Sequence, residues 1–311
     1  MQETRRAVLN AIADGPVSGP DLASELDCSR TAIWKHIESL REVGFDIEST
    51  EAGYRLAAIP EFGGEAVEYG LNAPYTVEYH DSIESTNARA RERAQNGDRN
   101  VVVLADKQTG GRGRLNRAWA SPSGGIWLSA VLPGTRPPAD APIFTMAAAV
   151  AVVRAVETVG VDATIKWPND VLVESEGTES KLAGILTEMA GEHDRINWLV
   201  VGIGLNANVD PPTLPPGATS LQALVGPVNR REVTQTLLDT LQECCSAPED
   251  VLDAWRDHAR TLSQRVRVET QTETIVGTAV DVAFPGALCI ETDDGTRRRV
   301  TAGDCEHLRP A

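Results

Sequence analysis

Between Lys107 and Trp119 the chain reads Lys-Gln-Thr-Gly-Gly-Arg-Gly-Arg-Leu-Asn-Arg-Ala-Trp, three glycines and three arginines ahead of a tryptophan. Glycine lets a backbone bend tightly and turn its N–H groups outward. Arginine supplies a fixed charge for phosphate or carboxylate. Trp119 offers a flat face for stacking. The tract therefore reads as a loop that closes over an anionic, ring-bearing ligand such as a nucleotide. The same composition also describes a short RGG-like nucleic-acid segment.

A chain of 311 residues accommodates two or three domains. Its apolar content of 41% is ordinary for a globular protein. No apolar run long enough to span a membrane is expected, and the first residues carry charge (Glu3, Arg5, Arg6), so no signal peptide is expected either. A cytoplasmic location without a membrane partner follows as the expectation. The net charge is −16, and only Lys35, Lys107, Lys166 and Lys181 are lysine. Such an acidic, lysine-poor composition suits a halophile-like, salt-rich cytoplasm, where screening removes self-repulsion. Each remaining lysine then stands out as a candidate for function. The five cysteines include no C-x-x-C pair, so neither a zinc site nor a disulfide is expected, and no residue is assigned to a metal.

Residues 1–60 read as one unit. A helix over Thr4–Ala13 ends at Asp14-Gly15-Pro16. Ser18 opens a second over Pro20–Leu26, and Ser29 caps a third that carries Ile33, Ile37 and Leu40 and stops at Gly44. Short strands over Phe45–Ser49 and Tyr54–Ala57 follow. This is the order of a winged helix-turn-helix, whose third helix would present Arg30, Thr31, Lys35 and His36 to a major groove. Residues 1–57 hold six Arg/Lys against ten Asp/Glu, a net −4. Most DNA-binding domains are basic, so a helical interaction module without DNA is the competing reading.

Residues 58–75 read as a linker. Beyond them, strands are expected over Val101–Ala105, Ile126–Leu132, Ile165–Trp167, Leu182–Met189 and Ile196–Ile203. Helices are expected over Ala139–Val159, Arg230–Cys245 and Glu249–Leu262. Residues 265–308 give four or five short strands with turns at Pro285-Gly286 and Asp293-Asp294-Gly295, a pattern that suggests a small SH3-type barrel. The fold class is α+β. Its parts are a winged helix-turn-helix (1–60), a mixed α/β domain (76–262) and a C-terminal SH3-like β-barrel (263–311).

Four further motifs fall in the central region. They are Ser85-Thr86-Asn87 before a helix, Lys166-Trp-Pro-Asn-Asp170 after a strand, Lys181-Leu-Ala-Gly-Ile185, and Gly202-Ile-Gly204-Leu-Asn206. Each alone has a plain reading as a cap, a turn or a strand end. Gly202-x-Gly204 has no third glycine and no following helix, so it is no dinucleotide fingerprint. In this order and spacing, together with the glycine-arginine tract, they closely resemble the biotin–protein ligase family. With the winged helix the resemblance covers nearly the whole chain and is that of the bifunctional form, the biotin operon repressors. The tract departs from the family pattern at Thr109-Gly110-Gly111, where an Ala-Gly pair is usual, and at Leu115-Asn116, where Arg-Gly is usual.

The resemblance implies a class II synthetase-like catalytic domain and two reaction steps. Biotin and MgATP give biotinyl-5′-adenylate, and a lysine of a biotin carboxyl carrier protein then takes the biotinyl group. Lys181, Arg112, Arg114 and Asp170 are the expected catalytic residues, with Lys181 first among them. Ser85, Thr86, Asn87 and Gln108 would match the ureido ring of biotin. Gly113, Gly184 and Trp127 would join Arg112, Arg114 and Lys181 around it. Arg117, Trp119, Asn169 and Asn206 would contact the adenylate. Lys166 is left open between a structural salt bridge and a role with nucleotide or acceptor. Mg²⁺ and ATP are implied, as are operator DNA and a ligand-promoted homodimer. The competing readings are a lipoate or octanoate ligase, a biotin sensor that does not ligate, and a ligase whose winged helix does not repress.

Overall fold

The computed structural model describes residues 1–308 except 135, 176, 193 and 194, so residues 309–311 of the expected barrel lie outside the described residues. The chain opens with α1 (Glu3–Ala13), α2 (Gly19–Glu25) and α3 (Arg30–Glu42), followed by the antiparallel hairpin β1 (Asp46–Thr50) and β2 (Gly53–Ala58). Ser18 and Ser29 cap α2 and α3 by accepting from the N–H groups of Asp21 and Ala32. Val8, Leu9 and Ile12 of α1 meet Leu22, Ile33, Ile37 and Leu40 in a small core closed by Phe45 and Ile47. Those side chains sit three and four positions apart, the helical spacing that the sequence displays. Gly53 has φ 128, and a Cβ there would lie 2.2 Å from the Val17 carbonyl oxygen, so only glycine starts the second strand.

Arg41 fastens the hairpin to α3. Its guanidinium donates to the Ile47 carbonyl (Nε, 3.0 Å) and to Ser49 Oγ (2.9 Å), and stands over the Tyr54 ring. Arg41→Ala is expected to loosen the hairpin and destabilise this unit by about 1 kcal/mol. Amide exchange on β1 and β2 checks it, and protection equal to that of the parent would refute it.

The segment expected as a linker is more than that. It contains α4 (Gly64–Glu68), with Ala66 and Val67 buried and the Glu68 carboxylate accepting from the Val77 N–H at 2.6 Å. Two apolar residues are too few to display a period, so this helix left no sequence signal.

The central domain carries a seven-stranded sheet. Its strands are β3 (Thr76–His80), β4 (Val101–Ala105), β5 (Ile126–Leu132), β6 (Thr164–Lys166), β7 (Asp170–Ser175), β8 (Thr178–Gly191) and β9 (Ile196–Leu205). The order is β3-β4-β5-β9-β8-β7-β6, with β3 parallel to β4 and every other pair antiparallel. Around it lie α5 (Thr86–Gln95), α6 (Pro142–Glu157), α7 (Leu221–Val225), α8 (Arg230–Ser246) and α9 (Val251–Asp257). The segment Pro138–Glu157 is apolar and long enough to cross a membrane. Within it, α6 buries twelve of its sixteen residues, which makes it a core helix of this fold.

The helix expected over 249–262 stops at Asp257. Beyond it, the chain pairs with the edge strand β6. Ile165 N–H donates to the His258 carbonyl at 2.7 Å, and Arg260 N–H donates to the Ile165 carbonyl at 2.8 Å. Backbone groups that cover a sheet edge cannot also close a helical turn.

The C-terminal strands are β10 (Arg265–Glu269), β11 (Thr274–Ala283), β12 (Ala287–Glu291), β13 (Arg297–Val300) and β14 (Asp304–His307), in the order β13-β12-β11-β10-β14. They form an open antiparallel sheet: among the described residues β13 and β14 do not pair, so no closed barrel is found. These outer strands have four residues each, and each already pairs along its length with an inner neighbour. Val266, Val268, Leu288 and Ile290 of this sheet join the core of the central domain. Trp167 locks the two together, its N–H donating to Thr261 Oγ1 (2.9 Å) and its indole to the Gly286 carbonyl (3.0 Å).

Arg230, the first residue of α8, joins three parts of the chain. It pairs with Glu61 at 2.8 Å, pairs with Asp106 at 2.6 Å, and lies 4.1 Å over the Phe62 ring, with its side chain only 12% exposed.

Candidate active site

The glycine-arginine tract forms a small closed hairpin. Trp119 N–H donates to the Gly111 carbonyl (3.0 Å), and Gly113 N–H donates to that of Arg117 (2.8 Å). At the root, Thr109 and Gly110 donate to the carbonyls of Ile83 and Glu84, which binds the tract to the Ser85-Thr86-Asn87 motif. The sequence predicts that the glycines supply the bend. The structure places the left-handed residues at Leu115 (φ 53) and Asn116 (φ 57) instead. Asn tolerates that region through local hydrogen bonding, and it occupies the position where glycine is usual in the resembling family. The glycines supply room: a Cβ on Gly111 would lie 2.6 Å from the Trp119 carbonyl oxygen.

This hairpin covers a cavity of about 530 Å³. The opposite wall is the sheet, where β8 and β9 each present a glycine to Trp119. A Cβ on Gly184 would meet the Trp119 ring at 3.1 Å, and one on Gly204 would meet its Nε1 at 2.5 Å. The glycines of two separate motifs and the tryptophan of a third are thus one packing unit. Lys181 extends from β8 with Nζ 4.9 Å from the Trp119 ring and 2.7 Å from Asp170 Oδ1. Asp170 opens β7, and its backbone faces Gly184 across the β7–β8 pair. Asn169, one residue earlier, donates to the Ile185 carbonyl (2.8 Å) and accepts from Arg114 (3.0 Å). Arg114 also donates to the Gly303 carbonyl at 2.8 Å, and Arg117 pairs with Asp304. The hairpin is therefore tied to the C-terminal sheet by two arginines.

At the other end, polar side chains form a connected chain. Thr86 donates through its N–H (2.8 Å) and its hydroxyl (3.0 Å) to Gln108 Oε1, and Gln108 Nε2 donates to Ser121 Oγ (3.0 Å). Asn87 donates to Glu188 Oε2 at 2.8 Å and accepts from Ser129 at 2.5 Å. Every member has a partner, as buried polar groups require.

Ser85, Thr86, Asn87 and Gln108 line the cavity, as do Arg112, Gly113, Arg114, Arg117 and Trp119 from the hairpin. Asn169, Asp170, Lys181 and Gly184 line it from the sheet. Trp127 and Asn206 do not. Trp127 is fully buried and donates to the carbonyls of Asp106 (3.1 Å) and Pro122 (2.9 Å), a strut behind the loop. Asn206 is 2% exposed and donates to the Thr219 carbonyl at 2.8 Å, tying β9 to the chain that follows it. Arg267, Glu269, Asp304 and Glu306, which line the cavity from β10 and β14, carry no motif. Polar residues alternating along short strands are ordinary solvent-facing positions, so nothing marks these four. In the N-terminal unit Arg30, Thr31 and Lys35 are exposed on α3 and His36 is half-buried. Trp34 beside them is 53% exposed and was not anticipated.

Charge is managed at the base of the loop. Burial pushes the Asp106 carboxyl up, but hydrogen bonds from Arg230, Ser123 and the Gly124 N–H outweigh it and hold the group below the usual carboxylate range. In the C-terminal wall, burial pushes the Cys305 thiol up to about 11.

The arrangement gathers cations, glycine-made space and a matched polar chain around one cavity, as joining two anionic reactants requires. Known proteins agree. Residues 79–206 match the biotin/lipoate A/B protein ligase family, 4–55 an HTH domain, and 261–308 the biotin protein ligase C-terminal domain. The bifunctional ligase/repressor BirA of Bacillus subtilis is 36% identical over 92% of both chains. The biotin–[acetyl-CoA-carboxylase] ligase of Mycobacterium tuberculosis is 35% identical over 72% of this chain and 86% of its own length. The structure of the Aquifex aeolicus biotin protein ligase with biotin and ATP superposes with a TM-score of 0.63 at 26% identity, covering 75% of this chain and 99% of that one. The chain belongs to the biotin protein ligase family, among the bifunctional ligase/repressors that carry an N-terminal helix-turn-helix.

Proposed function

We propose that this protein activates biotin with ATP and transfers the biotinyl group to a lysine of a biotin carboxyl carrier protein. The observation that carries the proposal is Lys181, held 2.7 Å from Asp170 and beside Trp119 in a cavity that Arg112 and Arg114 also line. In the first step a carboxylate oxygen of biotin attacks the α-phosphorus, and pyrophosphate leaves with the bonding electrons. Lys181, Arg112 and Arg114 offset the repulsion between the two anions and stabilise the charge that builds up. The ureido ring fits the polar chain of Ser85, Thr86, Asn87 and Gln108, which offers both donors and acceptors. The adenylate lies against Trp119, Asn169 and Arg117. In the second step the carrier's amine attacks the mixed anhydride, AMP departs, and Asp170 orients the amine. No enzyme nucleophile is needed, because the acceptor lysine is the nucleophile.

Among the described residues no three acidic, histidine or cysteine side chains cluster as a metal cage. Mg²⁺ would be carried chiefly on the nucleotide phosphates with its waters retained, and Asp170, the wall carboxylate beside Lys181, would touch it. Bound there, the ion neutralises phosphate charge.

The winged helix over 1–60 would read operator DNA through Arg30, Thr31, Lys35 and His36, as half of a ligand-promoted homodimer. The ligase domain would span 76–262, its mixed sheet of the class II synthetase type, and the C-terminal module 263–311. The open C-terminal sheet would correspond to an SH3-like module, and the protein would work in the cytoplasm. The test is incubation in concentrated KCl with biotin, MgATP and a carrier domain, with lipoate and octanoate as controls. Biotin-dependent pyrophosphate release with labelled carrier is expected, and labelling by lipoate alone would overturn the reading. For repression, a footprint on its own promoter at micromolar protein is expected to require biotin and ATP; no protection would remove that role.

A further inference from the structure

Lys166 lines the same cavity, on β6, and none of the motif contacts described above uses it. Among the described residues the salt bridge left open from the sequence does not form. Among the described residues its ammonium has neither a carboxylate within ion-pair distance nor a hydrogen-bond partner. The other cations of this region are engaged: Lys181 with Asp170, Arg114 with Asn169, Arg117 with Asp304, and Arg267 with Glu306 at 3.3 Å. Arg112 alone shares the unpaired state, and it stands on the hairpin, the side assigned to carboxylate and α-phosphate. In a protein with a net charge of −16 and only four lysines, an unpaired ammonium in the wall of this cavity is free to take an arriving anion.

Its place is fixed. Ile165 before it is held by the chain at His258 and Arg260, and Trp167 after it is 2% exposed and bonded to Thr261 and Gly286. The ammonium faces the C-terminal sheet, close enough to reinforce the burial that lowers the pKa of His307. This is the wall away from Ser85, Thr86 and Asn87. A nucleotide whose α-phosphate meets Lys181 and the hairpin arginines has to direct its remaining phosphates somewhere. Among the described residues that line the cavity, the one uncommitted cation off the hairpin is Lys166.

We propose that Lys166 binds the β- and γ-phosphates of ATP and stabilises the pyrophosphate as it leaves, an inference that rests on the ligase reading above. As the biotin oxygen bonds to the α-phosphorus, the bond from that phosphorus to the bridging oxygen breaks. The electron pair passes to pyrophosphate, and the Lys166 ammonium meets the charge. A compact ammonium suits that task better than a fork, because the leaving group moves away.

The test separates the half-reactions of Lys166→Gln and Lys166→Arg. With biotin and ATP, the rate of pyrophosphate release per KM of ATP is expected to fall about 10²–10³-fold in the glutamine variant and less in the arginine variant. In reverse, with biotinyl-5′-AMP and added pyrophosphate, the KM for pyrophosphate is expected to rise in the glutamine variant and recover partly with arginine. Transfer from supplied biotinyl-5′-AMP to a carrier domain is expected to keep its rate. Unchanged ATP and pyrophosphate kinetics would overturn the assignment. A raised KM for carrier with normal ATP kinetics would overturn it in favour of an acceptor site, and an equal fall in both half-reactions would make Lys166 structural. Parent protein that releases no pyrophosphate would instead sink the ligase reading itself.

Discussion

Lys181→Ala is expected to abolish measurable adenylate formation, a loss of at least about 10²–10³-fold in pyrophosphate release, while the fold stays intact. The side chain is 32% exposed and, among the described residues, pairs with Asp170 alone, itself open to the cavity, while its ammonium stands over the Trp119 ring, so its removal leaves no fully buried group unpaired. What disappears is a cation positioned where two anions must touch. Arginine at the same place keeps the charge but not the reach or the shape, and is expected to restore little. Pyrophosphate release and thermal unfolding, read on the same preparation, decide the matter. Near-normal turnover would refute the assignment, and a large drop in unfolding temperature would mean that Lys181 holds structure.

The second large effect is expected from Gly204→Ala. The added Cβ would stand 2.5 Å from Trp119 Nε1 and 2.8 Å from its Cε2. Among the described residues that indole N–H is buried without a partner, so no hydrogen bond of the ring holds it in its slot, only packing and the Lys181 ammonium over its face. A forced contact of this kind costs about 1–3 kcal/mol, and the ring or the strand must move. Displacing the ring pulls the return arm of the hairpin away from Lys181. The KM for ATP and the KM for biotin are both expected to rise, by roughly 5- to 150-fold if the whole cost falls on the ligand-bound state. The double variant Trp119→Ala/Gly204→Ala makes the argument specific. With the ring gone the methyl has nothing to strike, so the two substitutions together should cost clearly less than their separate effects predict. Strict additivity would show that ring and glycine do not act as a unit.

How much of this was legible in the sequence depends on whether a feature repeats locally. Val101–Ala105 and Ile126–Leu132 stand in the structure at the expected bounds, because an unbroken apolar run between polar turns has few alternatives. The third helix was legible from Ser29, Ile33, Ile37 and Leu40 together. α4 was not, since Ala66 and Val67 are all it buries besides Glu68. β7 was not legible, because Pro168-Asn169-Asp170 ahead of it reads as a turn and the apolar run Val171, Leu172 and Val173 is short. The helix expected over 249–262 ends earlier, at Asp257; nothing in Ala259-Arg260 announces that their backbone covers the edge of β6. At the site, the expected site residues of the ligase domain gather round one cavity except Trp127 and Asn206, which do not line it. An aromatic or an amide in a motif is equally able to brace the site from behind, and only packing separates the two. Arg267, Glu269, Asp304 and Glu306 come from strands that meet the cavity through domain docking, a long-range fact with no local signature.

Arg230 has a consequence for how ionic strength sorts the contacts of this molecule. Many of its ion pairs are open to water, such as Arg265 with Asp293 and Arg55 with Glu48, and mobile ions weaken such pairs as their concentration rises. Arg230 is sheltered between the Phe62 ring and the end of β4, where few ions penetrate. Concentrated salt therefore acts as a sieve. It strips the decorative pairs and weakens the contact with the half-exposed Glu61, but leaves Arg230 paired with Asp106, directly ahead of the Lys107–Trp119 loop, and stacked on Phe62 of the segment after the winged helix. In brine, the joint between the reading module and the ligand loop would be among the last electrostatic contacts to let go.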